Sequence, residues 1–271
     1  MTKRNKWRIV GLVGVAFCAY AYYLGADETS GSGVASDGIY RVKEPGGEWV
    51  VGIPCPAGYR GRGAAQWTEE ASRPLVWWAT VESKGGEFAA CCSCCAFFNP
   101  QFDANAGRMV QPYYSPESLA RRLCNGVGDA LGLEEIELED ACFVDTDKYD
   151  ALHARVFSFA KPERRGEVRL YYTGLKGGRE VSAVFIASFW FVGRIAGNDF
   201  TENSLHLDQL RSFACPVGRE KEGEQLVSRL LAGLKFNPSL EKRLERMVCE
   251  RTQTANRQST AFTQQTIRNL N

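Results

Sequence analysis

Apolar residues recur along this chain with two periods, and the changes between them mark its elements. The first segment, Ile9–Ala26, is eighteen residues without a charge. As a helix rising about 1.5 Å per residue it spans roughly 27 Å, which matches a bilayer core. Lys3, Arg4, Lys6 and Arg8 precede it, and Asp27 and Glu28 follow. That bias predicts a transmembrane signal anchor, residues 1–26, with the N-terminus in the cytoplasm and the rest outside it. A cleaved signal peptide shares the basic start. Here, though, Ala19-Tyr20-Ala21 runs into Tyr22 and Tyr23, which suit an interfacial belt. Val15-Ala16-Phe17-Cys18 loosely matches a lipobox, with Phe17 where a small residue belongs.

Residues 27–38 are Ser- and Gly-rich with no apolar pattern, so they read as a flexible spacer. The body, 39–238, opens with a strand at Glu48–Pro54, followed by Gly58–Gly63, whose glycines read as a turn. Arg73–Ser83 and Glu87–Phe98 alternate as a second strand pair around Lys84-Gly85-Gly86. Ser115-Pro116-Glu117 starts a helix: Ser as N-cap, Pro at the first helical position, an acid in the first turn. Leu119, Leu123, Val127 and Leu131 give it one buried stripe. Ala141–Asp145 and Tyr149–Ala160 read as extended. Glu167–Lys176 and Arg179–Val192 flank Gly177-Gly178, a two-residue hairpin signal. The second of these strands is apolar on both faces and belongs at the centre of a sheet. Glu220–Leu234 is a helix with Leu226, Leu230, Leu231 and Leu234 on one stripe. Ser239 caps a further helix carrying Leu240, Leu244, Met247 and Val248. After Cys249 the stripe ends, so the tail 239–271 is expected to project as a polar helix.

Strands, a helix, a long hairpin and a closing helix predict an α+β fold, an antiparallel sheet covered by helices. The pattern resembles the PsbP-like fold of exported accessory proteins. The resemblance rests on the Trp49–Pro54 strand, the Ser115-Pro-Glu117 helix start, the Tyr171–Phe191 hairpin and the closing Leu230–Pro238. It implies a binding or assembly role, non-catalytic and without a cofactor.

Charge narrows the partners. The net charge is +1, but beyond residue 26 the chain carries 29 bases against 32 acids. Nucleic-acid binders need a basic body to neutralise phosphates, so that class is disfavoured. The tail is the basic part, with Lys242, Arg243, Arg246, Arg251, Arg257 and Arg268 against Glu241, Glu245 and Glu250. It is the expected contact for a protein partner, while residues 9–26 contact the membrane. The oligomeric state is left open.

Nine of the ten cysteines lie beyond the anchor. Cys91-Cys92-Ser93-Cys94-Cys95 contains two overlapping C-x-x-C spacings. Zinc sites usually pair two separated C-x-x-C units, and a redox dithiol needs a helix N-terminus, whereas the flanking residues look extended. Outside the cytoplasm the expectation is disulfides among Cys55, Cys91, Cys92, Cys94, Cys95, Cys124, Cys142 and Cys215, with Cys249 free or bridging to a partner. On a strand the four clustered cysteines would pair with other elements and not among themselves.

Other chemistry has weaker signals. His153 reads as a mid-strand structural histidine. His206 has Ser204 and Asp208 close in sequence, which does not make a triad. Glu69-Glu70 and Glu134–Asp140 read as solvated acidic faces. Arg60 and Arg62 in the Gly-rich segment could hold an anion, and Trp77, Trp78, Phe189, Trp190 and Phe191 could line a pocket or simply pack. The expected function is thus a single-pass inner-membrane protein with a periplasmic body, an accessory of an envelope complex. The alternative is a thiol-redox or metal enzyme using Cys91–Cys95.

Overall fold

The structure is a computed structural model and describes residues 37–68, 75–94, 96–98, 101–103, 108–110, 115–145, 162–192, 204–240, 242–247, 249–251, 253–254 and 257. Its strands and helices run in chain order β1 Ile39–Lys43, β2 Trp49–Pro54, β3 Tyr59–Trp67, β4 Leu75–Ser83, β5 Ala89–Ser93 and β6 Ala96–Phe98. A short ladder of β7 Gln101–Asp103 and β8 Arg108–Val110 precedes helix α1, Pro116–Leu131. Then come β9 Glu134–Asp145, β10 Pro162–Lys176, β11 Arg179–Val192, β12 Ser204–Pro216, helix α2 Glu220–Ala232 and β13 Lys235–Phe236. The described residues form two compact units, one within 95–220 and one within 37–94 and 221–257.

In the first unit β9, β10, β11, β12 and β6 form an antiparallel ladder in that order. Gly177 and Gly178 have φ of 57° and 73°, the left-handed pair a tight hairpin requires, and they set β10 against β11 in register from Lys176–Arg179 onward. β11 lies between β10 and β12, which explains its apolar residues on both faces. The sheet's α1 face is closed by Leu119, Ala120, Leu123, Val127 and Leu131, all buried, against β9, β10 and β12. Ser115 caps α1 by accepting from the Ser118 N–H at 3.1 Å. β12 falls where the hydrophobic pattern marked no element. Tyr149–Ala160 lies outside the described residues.

In the second unit β1, β2 and β13 form one ladder, while β3, β4 and β5 form another. Gly58 does lie in a turn, with φ of 84°, but the rest of the Gly-rich stretch, from Tyr59 to Gly63, is strand β3. A Cβ on Gly61 would stand 2.3 Å from Cγ of Tyr40, and one on Gly63 would stand 2.6 Å from the Trp78 carbonyl. These glycines let a buried tyrosine and a neighbouring strand approach the backbone.

The tail also differs from expectation. Its cap is Asn237, with Pro238 at the first helical position and the Ser239 N–H donating to Asn237 Oδ1 at 3.0 Å. Residues 242–247 are helical, Leu240 is 1% exposed, and Leu244 and Met247 are half-buried. The start of the tail is therefore packed on its own unit.

The α+β architecture with helices on an antiparallel sheet is present; the transmembrane helix is corrected. Among the described residues no helix is long and apolar enough to cross a membrane. Helices α1 and α2 are amphipathic: α1 turns Glu117, Arg121, Arg122 and Asp129 outward, and α2 turns Lys221, Glu222, Gln225 and Arg229 outward. The anchor segment Ile9–Ala26 and the spacer up to residue 36 lie outside the described residues. The single-pass anchor, the membrane contact through residues 9–26, the inner-membrane and periplasmic placement and the envelope-accessory role that rested on them are accordingly withdrawn. So is the tail as a protein-partner contact, since its start is used within its own unit.

Candidate functional site

The disulfide expectation is overturned as well: no disulfide joins the described cysteines. Register gives the reason. In the ladders of their own units Cys91 faces Thr80, Cys92 faces Ala79, Cys142 faces Arg169 and Cys215 faces Ser182, so no cysteine stands across from another. Cys55, Cys124, Cys142 and Cys249 carry free thiols. Burial pushes the Cys55 and Cys124 thiols above their ordinary pKa, and Cys124 Sγ lies 3.7 Å from the Ile136 carbonyl. Cys249 is exposed. Cys95 lies outside the described residues.

Within the Cys91–Cys95 cluster, Cys91 and Cys92 lack the exposure a nucleophile needs. Cys91 and Cys92 are 2% and 1% exposed in the middle of β5, and Cys94 follows the strand, its N–H on the Trp77 carbonyl at 3.1 Å. A reactive dithiol needs an exposed thiolate at a helix N-terminus or beside a cation. Among the described residues no three metal-ligating side chains converge.

The remaining candidates separate. Arg60 pairs with Glu82 at 2.7 Å, and Arg62 lies over the Trp78 ring at 5.8 Å, so both face neighbours on the adjacent strand β4. Trp78 and Phe189 are buried; Phe189 packs on Phe143 with centroids 4.6 Å apart. Trp77 meets Phe236 edge-on at 5.8 Å, and Phe236 is among the few exposed large apolar side chains. Glu134–Asp140 lies on β9, an edge strand whose charges discourage further pairing. His206 sits on β12 opposite Trp190. His153, Glu69 and Glu70 lie outside the described residues.

Two polar constellations were not visible in the sequence. In the first unit, Glu167 holds Arg169 and Arg211, each at 2.6 Å. Arg211 also donates to the Gln209 carbonyl at 3.2 Å, bracing a bulge where Gln209 takes φ of 51°. Ile186, in register between the two arginines, is 1% exposed beneath them.

The second constellation, in the other unit, is a guanidinium seat. Arg243 lies over the Trp67 ring, 4.8 Å from the centroid, and its Nη1 is 3.2 Å from Glu48 Oε2. Each wall is itself held. Trp67 Nε1 donates to Glu44 Oε2 at 2.9 Å, and Glu44 Oε1 accepts from the Glu48 N–H at 3.2 Å. Glu48 Oε1 accepts from Asn237 Nδ2 at 3.2 Å, and the same amide nitrogen donates to the Trp49 carbonyl at 2.8 Å. The Gly46 N–H, the Trp67 indole and the nearby Arg243 charge hold the Glu44 carboxyl below its ordinary pKa. The seat combines the β1–β2 turn, the end of β3 and the tail helix. Only the aromatic and basic residue types were legible in sequence, since their proximity arises from the fold.

No family model matches the chain, and no curated protein matches it. Among solved structures it is similar to cyanobacterial PsbP (CyanoP) from Synechocystis sp. PCC 6803, at 13% identity and a TM-score of 0.28, covering 76% of this chain and 97% of that one. It is also similar to LpqN of Mycobacterium tuberculosis, described as involved in cell envelope biogenesis, at 6% identity and a TM-score of 0.23, covering 69% of this chain and 83% of that one. The first is a distant structural similarity to the PsbP-like fold.

Proposed function

We propose that this chain is a binding protein that works by non-covalent recognition at its surface and not by thiol chemistry. The observation that carries this reading is the burial of Cys91 and Cys92 inside β5. A thiol that attacks a substrate must reach it, and thiols at 2% and 1% exposure do not. The half-exposed charged groups of both units, by contrast, are held in fixed geometry by neighbouring carboxylates and carbonyls, the preorganisation that recognition uses.

A charged thiol reagent tests the reading on the native full chain. Cys249 should be modified within minutes, while Cys91 and Cys92 stay unmodified until denaturant is added. Modification of Cys91 or Cys92 at the rate of Cys249, together with reversible oxidation by a thioredoxin-type partner, would overturn it.

A further inference from the structure

The Trp67 seat has the make-up of a ligand site with its ligand in place. An indole face attracts a cation through its quadrupole, and a planar guanidinium can lie on it while directing N–H groups sideways to a carboxylate. Glu48 supplies that carboxylate, and Glu44 orients the indole by accepting from its ring N–H. The current occupant sits on the tail helix, which the buried Leu240 and the Arg251 hydrogen bond to the Thr68 carbonyl hold on the same unit. Arg243 is 43% exposed and uses one ion pair, while Lys242, Glu245 and Arg246 on the same helix face solvent.

Resting on the reading of the chain as a binding protein, we infer that the Trp67–Glu48–Glu44 seat is a recognition site for an arginine-bearing peptide segment of a partner protein, with Arg243 holding it in cis as a tethered competitor. A tethered group competes at an effective concentration on the order of millimolar. A partner arginine therefore binds weakly until residues 242–247 loosen from the seat while Leu240 stays buried, and its binding and the release of Arg243 are linked. The chemistry selects arginine over lysine, because a compact ammonium neither stacks on the ring nor presents a planar edge to Glu48.

The test uses the full chain and the blocked tripeptides Gly-Arg-Gly and Gly-Lys-Gly, read by the NMR resonance of the Trp67 indole N–H. That resonance is identified by its loss in Trp67→Phe. In Arg243→Ala, which vacates the seat, the arginine peptide should shift the resonance saturably. Its affinity should be at least about tenfold above that for the unaltered chain, the expected gain on removing a tethered competitor. The lysine peptide should bind several-fold more weakly, and adding Glu48→Gln should remove the preference for arginine. In the unaltered chain, excess arginine peptide should speed amide exchange across residues 242–247. Should Arg243→Ala fail to fold, Arg243→Lys keeps the stem and charge and serves in its place. A folded vacated variant that shows no saturable shift, or equal affinity for both peptides, would overturn the inference. Neither result bears on thiol reactivity, so the two tests fail independently.

Discussion

The Tyr172 hydroxyl donates to the Ala120 carbonyl at 2.9 Å, tying the middle of β10 to the second turn of α1. Tyr172 is 1% exposed, and burial raises its phenol well above the ordinary pKa. At the other end of the helix, the Lys176 ammonium donates to the Leu131 carbonyl at the C-terminal end of α1, where the helix dipole favours a cation. The sheet therefore holds α1 by polar contacts at two points as well as by its apolar stripe.

Tyr172→Phe keeps the ring and removes the donor, so it should cost about 1 kcal/mol, the net worth of a typical hydrogen bond. The pH dependence separates the two chains. A phenol whose pKa is raised on folding contributes fully below the unfolded value of about 10, and its contribution is lost as pH rises through the folded value. Urea unfolding at neutral pH and above about pH 10 should show the margin of the unaltered chain over the variant shrinking in alkali. A margin that stays constant would mean that the phenol ionises freely in the fold.

Gly63→Ala should be strongly destabilising. Its Cβ would stand 2.6 Å from the Trp78 carbonyl and 3.0 Å from Val42 Cγ2, and a backbone oxygen in a ladder cannot step aside. Overpacking of this kind costs about 1–3 kcal/mol. Gly85→Ala is the control: its nearest neighbour would be Glu87 Cγ at 3.8 Å, so its midpoint in urea should barely move. Equal effects at the two positions would show that β3 is not pressed against β4 at Gly63.

These glycines also show where the sequence could be read and where it could not. The β10–β11 hairpin and the Ser115 cap were legible because each depends on residues adjacent in sequence. β3 was not legible, because Gly61 and Gly63 carry the residue type of a turn while serving a contact with Tyr40 and Trp78 that only the fold creates. β12 shows the same limit: Ser204–Pro216 alternates imperfectly, with a bulge at Gln209, and gains strand character from its ladder with β11. The cap of the tail lies two residues before Ser239. Ser239 has the right chemistry, but Asn237 is the residue that the Trp49 and Val50 carbonyls anchor. The Trp67–Arg243 seat was hidden for the same reason as β3.

Asn237→Ala should cost about 1–2 kcal/mol, the usual loss for an N-cap together with a buried hydrogen bond. Asn237→Asp is the informative companion. Aspartate is as good an N-cap as asparagine, but here it would set a carboxylate against Glu48 Oε1 and the Trp49 carbonyl, both acceptors. Thermal melts should place the aspartate variant no higher than the alanine one. An aspartate variant as stable as the unaltered chain would show that capping alone, without the amide donor, fixes this turn.

Cutting the chain after Pro238 tests whether the tail belongs to the core of its unit. The loss of an apolar stripe beyond Cys249 predicts little change, whereas the structure predicts a clear loss. Leu240 is buried to 1% exposure, and truncating such a leucine typically costs about 2–5 kcal/mol. Arg251 adds a hydrogen bond to the Thr68 carbonyl at 2.8 Å. The half-exposed Arg243–Glu48 pair adds less, about 0–1 kcal/mol for an exposed ion pair. In a domain of this size each kcal/mol corresponds to roughly 2–4 °C, so the truncated chain should melt several degrees lower. Leu240→Ala in the full chain should reproduce most of that fall, and Arg243→Ala only a small part. If the truncated chain melts with the full one, residues 240–251 contribute nothing to the unit. If Arg243→Ala alone accounts for the fall, the clasp and not the leucine holds the helix.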